Sequence, residues 1–194
     1  MATSPIEGPR HPWPEKALSV VTETPVAEVE VHTAHVPPGS SNGWTKIRTF
    51  NGIFSYLARA SPVARILCGD FNSPQRETAD GQVVTWGQDE VDGRFVPWGR
   101  YKGGTGNEWD DGERSVLVGL AKFDLHDVFR GLHGFGVEDF SWYLKRNGKI
   151  VGRRFDHVFA SRQFKILDCR YLHALREAGL SDHSPIAAQL EGPR

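Results

Sequence analysis

The chain has 194 residues, enough for one domain with one core and short for two. Its 39% hydrophobic and 24% charged content, with six Trp and eleven Phe, excludes a disordered chain, and no run of about 18 apolar residues predicts a membrane-inserted helix. A formal net charge of -1 gives no overall attraction to polyanions, so any such contact must come from a local cluster.

Residues 1–14, with Pro5, Pro9, Pro12 and Pro14, read as an irregular leader, and residues 15–194 as one domain. From Leu18 to Val36 the alternation of Leu18, Val20 and Thr22, then Val29, Val31 and Thr33, predicts a hairpin broken at Glu23-Thr24-Pro25. Ser41 or Asn42 is placed to cap a helix carrying Ile47, Phe50, Phe54 and Leu57 on one face. Ala64 to Cys68 is a short apolar run of inner-strand type that ends at Gly69-Asp70-Phe71-Asn72. Between Ser73 and Glu113 the periodicity fades, and a long insertion of loops and short strands anchored by Trp86, Trp98 and Trp109 is expected. Val116 to Phe129 reads as a helix closed by Gly131 and Gly134. Ser141–Leu144 and Phe155–Ala160 read as two strands joined through the turn dipeptide Asn147-Gly148, and Ile186–Leu190 as a last strand. Cys68 and Cys169 sit in apolar runs without metal-ligand spacing, which predicts buried free thiols. With no basic-then-apolar segment at the start, a cytoplasmic protein is expected.

Three segments carry chemistry. A strand that delivers Asp70 and Asn72 into a loop sets a carboxylate and an amide side by side, suited to holding or deprotonating water and donating to a phosphate oxygen; a plain strand-end turn uses the same residues. Ser181-Asp182-His183-Ser184-Pro185, just ahead of the last strand, offers a carboxylate for a divalent metal and an imidazole for a phosphoryl oxygen, or else a polar loop. In Arg153-Arg154-Phe155-Asp156, the carboxylate opens an apolar strand and is placed to orient His183; a surface salt bridge to either Arg is the competing reading. Lys145, Arg146, Lys149, Arg153, Arg154, Arg162, Lys165 and Arg170 crowd this region and would favour a phosphate-rich ligand, or form a solvated charged hairpin.

In this order, Gly-Asp-Phe-Asn, Arg154-Phe155-Asp156-His157 and Ser-Asp-His-Ser-Pro resemble the endonuclease/exonuclease/phosphatase superfamily, and most of all its exonuclease III-like and apurinic endonuclease-like branch. The strand Val31 to Pro37, ending in His35 before a proline, and Leu125 to Arg130 with Ser141-Trp142 agree with it. The resemblance implies an α+β fold, part of a four-layered α/β/β/α sandwich. It implies Asp70, Asn72, Asp156, His183 and His35 as catalytic residues, with His32 as the rival to His35. Asp182 and Asp70 would be metal residues for magnesium or manganese, and Arg153, Arg154 and Trp142 would meet substrate phosphate. Nucleic acid, DNA first, is the implied partner and a nuclease acting in DNA repair the implied activity. A phosphatase or lipid phosphodiesterase of the same fold is the alternative.

The sequence also departs from the pattern. The family's early strands supply an Asn and a metal-binding Glu, and no counterpart precedes Val20, since Glu15 lies in the Pro-rich stretch. The match is therefore to the C-terminal portion of the domain, and an inert fragment or nucleic-acid-binding remnant is the reading opposed to an active enzyme.

Overall fold

A computed structural model describes residues 3–192 of the chain, apart from the Arg146 side chain. In chain order its strands are β1 (Thr3–Pro5), β2 (Ala17–Glu23), β3 (Glu28–His35), β4 (Ala64–Asp70), β5 (Arg76–Glu77), β6 (Val83–Val84), β7 (Gln88–Val91), β8 (Arg94–Pro97), β9 (His126–Asp127), β10 (Trp142–Arg146), β11 (Lys149–Arg153), β12 (Asp156–Ala160), β13 (Lys165–Tyr171) and β14 (Ile186–Glu191). The helices are α1 (Gly39–Asn42), α2 (Thr45–Leu57), α3 (Gly106–Leu117), α4 (Val128–His133) and α5 (His173–Glu177). No helix among the described residues is long and apolar enough to cross a membrane.

Six strands form the main sheet in the order β1-β2-β3-β4-β12-β9, with β3 and β4 parallel and their other neighbours antiparallel. Side chains alternate along each strand, so β4 and β12 present two different faces. Leu67 and Phe159 point to one side, where Ile47, Phe50, Ile53 and Leu57 of α2 and Trp109 and Val116 of α3 complete a core. Ile66, Cys68, Val158 and Ala160 point to the other side, against α4 and the β13–β14 hairpin through Phe129, Cys169 and Tyr171. Both cysteines are free, Cys169 buried and Cys68 half-buried.

The Leu18–Val36 hairpin is present, its turn closed by a hydrogen bond from Thr24 N to Ala27 O (2.9 Å). Other expectations are corrected. Thr3–Pro5, inside the expected irregular leader, pairs with β2 as an edge strand. Ser41 and Asn42 belong to α1, and Gly43 at φ 52° interrupts the chain before α2, so neither caps that helix. The predicted Val116–Phe129 helix is several elements. α3 ends at Leu117, a 3-10 turn spans Gly119–Phe123, Asp124 adopts a left-handed conformation (φ 61°), and Asp127 caps α4 by accepting from Arg130 N at 2.9 Å. Asn147-Gly148 joins β10 to β11 and not to Phe155–Ala160. Both residues have positive φ, and a two-residue turn pairs its flanks at once, Arg146 with Lys149, which sends the chain to the main sheet only afterwards.

Beneath β12 lies a buried charge cluster. Arg154 donates to both Glu77 oxygens (2.7 Å each) and to Asp127 Oδ2 (2.7 Å), and Arg130 Nη2 also donates to Glu77 Oε2 (2.7 Å). Burial alone would push the Glu77 carboxyl up, but the bonds from Arg154 and Arg130 overcome it and hold it at about 2. A carboxyl depressed on folding contributes stability that is full above its unfolded value of 4.5 and is lost as pH falls toward about 2; the displacement corresponds to about 3 kcal/mol. Urea unfolding of the wild type is therefore expected to weaken across that window more steeply than that of Glu77→Gln, and parallel pH profiles would discount the cluster.

Candidate active site

Strand register assembles the site. His35 pairs with Asp70 across β3 and β4, and Asp70 with Asp156 across β4 and β12, so three chemistry-bearing residues stand abreast at one sheet end. Directly opposed residues share a face. That face is the one carrying Ile66, Cys68, Val158 and Ala160, covered by the β13–β14 layer. The glycine before Asp70 is required: a Cβ on Gly69 (φ 142°) would lie 1.9 Å from the Ala34 carbonyl oxygen.

The fourth residue arrives from the loop ahead of β14. Ser184 N donates to Ser141 O (2.7 Å), and His183 bridges to Trp142, which turns the imidazole inward so that its Nδ1 lies 2.7 Å from Asp156 Oδ2. Asp156 is itself fixed, its N donating to the buried Ser141 Oγ (3.1 Å) and its carbonyl accepting from Tyr171 OH (2.8 Å). The bond to Asp156 raises the His183 pKa above its ordinary value, outweighing burial. In Asp156→Asn, an NMR titration of His183 is expected to show protonation at lower pH than in the wild type; an unmoved titration would remove Asp156 as its partner.

Burial pushes the Asp70 carboxyl up, and the neighbouring Asp156 charge adds to this. Its Oδ1 accepts from Asn72 N (2.8 Å) and its Oδ2 from Asn72 Nδ2 (3.1 Å). Asn72 Nδ2 also donates to Val36 O at 2.9 Å, so the amide expected to meet a phosphate oxygen is spent on bracing the Asp70 loop. Asn72 has φ 50°, a left-handed backbone that Asn tolerates better than most residues.

Asp70, Asp156 and His183 each offer one donor atom, all within 4.8 Å of one another. Two carboxylates that repel each other beside an imidazole fit a hard divalent cation, which takes one or two carboxylates and fills its shell with water and phosphate. Asp182, implied with Asp70 as a metal residue, lines the same cavity as Asp70. With His183 turned in, Asp182 is left exposed at the rim of the cavity, outside this cluster.

Asp70, Asn72 and His183 open into a cavity of about 680 Å3 that also meets His35, Trp142 and Arg153. His35 Nε2 lies 3.8 Å from Asp70 Oδ2, whereas His32 is buried, its Nδ1 2.9 Å from Ser19 Oγ, and burial lowers its pKa to about 4. His32 is thus a neutral core residue. Arg154, expected at substrate phosphate, is 4% exposed and paired with Glu77 and Asp127, so it faces the interior. The basic cluster disperses as well: Lys165 pairs with Glu191 and Arg170 with Asp168 on β13, away from the β10–β11 hairpin, and the Arg146 side chain lies outside the described residues.

Sequence reading missed Lys46 and Glu113, and read Trp86 only as an anchor of the insertion. Lys46 Nζ lies 2.8 Å from Glu113 Oε1 and donates to Asn72 O (2.7 Å), with both partners of the ion pair at most 1% exposed. Trp86 Nε1 donates to the same Asn72 carbonyl (3.0 Å), and Trp86 N and Trp109 Nε1 donate to Glu113 (3.0 and 2.8 Å). This network holds the Asp70–Asn72 loop from behind.

No family model matches the sequence, and no curated protein matches it. The backbone matches solved structures, and the likeness defines the fold as that of the endonuclease/exonuclease/phosphatase proteins. The crystal structure of an endonuclease/exonuclease/phosphatase from Beutenbergia cavernae matches with TM-score 0.54 and 17% identity over 91% of this chain and 39% of that one. An AP endonuclease from Leishmania major matches with TM-score 0.59 and 17% identity over 92% of this chain and 55% of that one. TDP2 of D. rerio, in complex with a single-strand DNA product, matches with TM-score 0.60 and 12% identity over 97% of this chain and 68% of that one. The chain thus spans about half the length of the first two or less.

Proposed function

We propose that the chain is a divalent-cation-dependent phosphoesterase that hydrolyses phosphodiesters in nucleic acid, DNA in the first instance. The observation that carries this reading is the register that sets Asp70 beside Asp156, with His183 bonded to Asp156, and Asp70 and His183 lining one cavity. Magnesium or manganese is the cation the donor set suits. Asp70 and Asp156 would hold it, and it would supply charge neutralisation at the phosphoryl oxygens and favour the attacking water.

The chain's own groups have separable roles. Asp70, whose pKa burial raises, accepts a proton from water as the water oxygen bonds to phosphorus and the ester bond to the leaving oxygen breaks. His183, its Nδ1 committed to Asp156, presents Nε2 to a phosphoryl oxygen, and the bond to Asp156 raises its pKa, which favours the donating form. Asn72 is a positioning residue for Asp70, and His35 and Asp182 lie at the cavity edge. Support for a nucleic acid comes from the fold shared with an AP endonuclease and with TDP2 bound to a DNA product. A phosphatase or lipid phosphodiesterase would use the same groups. A panel of abasic-site DNA, single-stranded DNA, an inositol phosphate and sphingomyelin, assayed in magnesium and in EDTA, decides between them. Magnesium-dependent cleavage of DNA is expected, and turnover confined to the last two would overturn the nucleic-acid reading.

A further inference from the structure

The 73–113 insertion supplies a wall of the cavity that none of the hydrolytic groups uses. Its centre is Trp86. Both of its polar hydrogens are already committed, the indole Nε1–H to Asn72 O and the backbone N–H to Glu113 Oε2 (3.0 Å each). A half-buried indole in this state has only its ring surface to offer a ligand. Its orientation is locked from behind by the network that holds the Asp70 loop, so the ring stands at a fixed place beside the hydrolytic centre.

Positive charge surrounds this ring. The Arg153 guanidinium lies 5.8 Å from its centroid, within cation–π range. Farther along the insertion, Lys102 lies 5.4 Å over the Tyr101 ring, and its Nζ donates to Gly39 O (2.6 Å), tying the insertion to the turn after β3. Tyr101, Lys102 and Gly39 line the same cavity, so this bridge bounds it on that side. A bounded space of about 680 Å3 is of the size that encloses one small ligand.

Resting on the phosphoesterase reading, we infer that Trp86, with Tyr101 and Lys102 bounding the same cavity, forms a subsite for one nucleobase next to the reacting phosphate. The site would then take a single nucleotide unit at a chain end, in preference to a bare sugar phosphate or a lipid phosphate. A flat base joined through its sugar to a phosphate matches an aromatic wall edged by cations, and stacking on an aromatic side chain tolerates any base.

The test is titration calorimetry of the full chain in calcium in place of magnesium, with dAMP, 2-deoxyribose 5-phosphate and a short-chain phosphatidic acid as probes. The wild type is expected to bind dAMP roughly 10-fold or more tightly than the sugar phosphate. Trp86→Ala is expected to lose roughly 5- to 150-fold more in dAMP affinity than in sugar-phosphate affinity, the range for one stacked base, since any loss common to both ligands reports the loop that the indole braces. Trp86→Phe, which keeps a ring but not the bond to Asn72, is expected to retain the preference, and so separates stacking from a disturbed loop. Equal affinity for dAMP and the sugar phosphate, no binding of dAMP, tighter binding of the phosphatidic acid, or an equal loss for both phosphates in Trp86→Ala would overturn the inference. Base preference without hydrolysis in magnesium would uphold it and overturn the phosphoesterase reading instead.

Discussion

Asp70→Asn is expected to lower magnesium-dependent phosphodiester hydrolysis at least about 100-fold, and His183→Ala to do the same, with both proteins folded as the wild type is. The size follows from what each group does: a positioned general base contributes about 100- to 10,000-fold, and a preorganised hydrogen-bond donor aimed at the phosphoryl oxygens about 100- to 1,000-fold. Asp70→Asn preserves shape and removes only the charge and the proton-accepting oxygen. It also relieves the repulsion with Asp156 that, after burial, raises the Asp70 pKa, so stability is expected to hold or rise while the rate falls. Asp156→Asn should reduce the rate less than His183→Ala, because it leaves an imidazole in place and alters its charge and aim. Rates are read on the best DNA substrate of the panel, with thermal unfolding as the control. Wild-type rates in Asp70→Asn would remove Asp70 from the chemistry.

Lys46→Met and Glu113→Gln are each expected to lower the unfolding free energy by about 3–5 kcal/mol, the cost of leaving one member of a buried pair uncompensated. Neither partner can turn to water, since Lys46 is 1% exposed and Glu113 0%. Burial pulls the Lys46 pKa down while Glu113 opposes it, so the pair is held together at some desolvation cost. The double variant is therefore expected to be more stable than the two single losses summed, a coupling read from urea midpoints in a double-mutant cycle. Additive losses would show that the two charges act independently. Because Lys46 also donates to Asn72 O, both single variants should slow hydrolysis through the Asp70 loop.

What could be read from the sequence was local. Gly69 to Asn72 and Ser181 to Pro185 are contiguous, and each sits next to an apolar strand, so residue type and strand end together marked them. The match of Asp70 with Asp156 is a register fact between residues 86 positions apart; the resemblance implied each residue singly, and only the strand ladder sets them side by side. Arg154 was misplaced for the same reason in reverse. Its partners Glu77 and Asp127 are distant in sequence, and a paired buried Arg looks like a free basic residue when read alone. The α3 helix left a signal that was passed over: Thr105 and Glu108 form a capping box, three residues apart. Gly106 and Gly112 obscured it by lowering helix propensity, yet Gly112 is there because a Cβ would come 2.6 Å from Ile47 Cγ2, where α3 meets α2. The Val116–Phe129 reading failed where apolar spacing continued across Gly119 and Asp124 although the backbone did not. Trp86 and Glu113 carried no pattern at all, because their contacts close only when the insertion folds back on the Asp70 loop.

The most direct test of the hydrolytic centre is cleavage of single-stranded and abasic-site DNA by the purified 194-residue chain, stripped of metal with EDTA and then returned to magnesium. The account predicts no cleavage in EDTA and cleavage restored by magnesium in the wild type, with the restoration lost in His183→Ala. A folded wild-type chain that cleaves no phosphodiester in magnesium or manganese, or that cleaves equally well with and without His183, would contradict it.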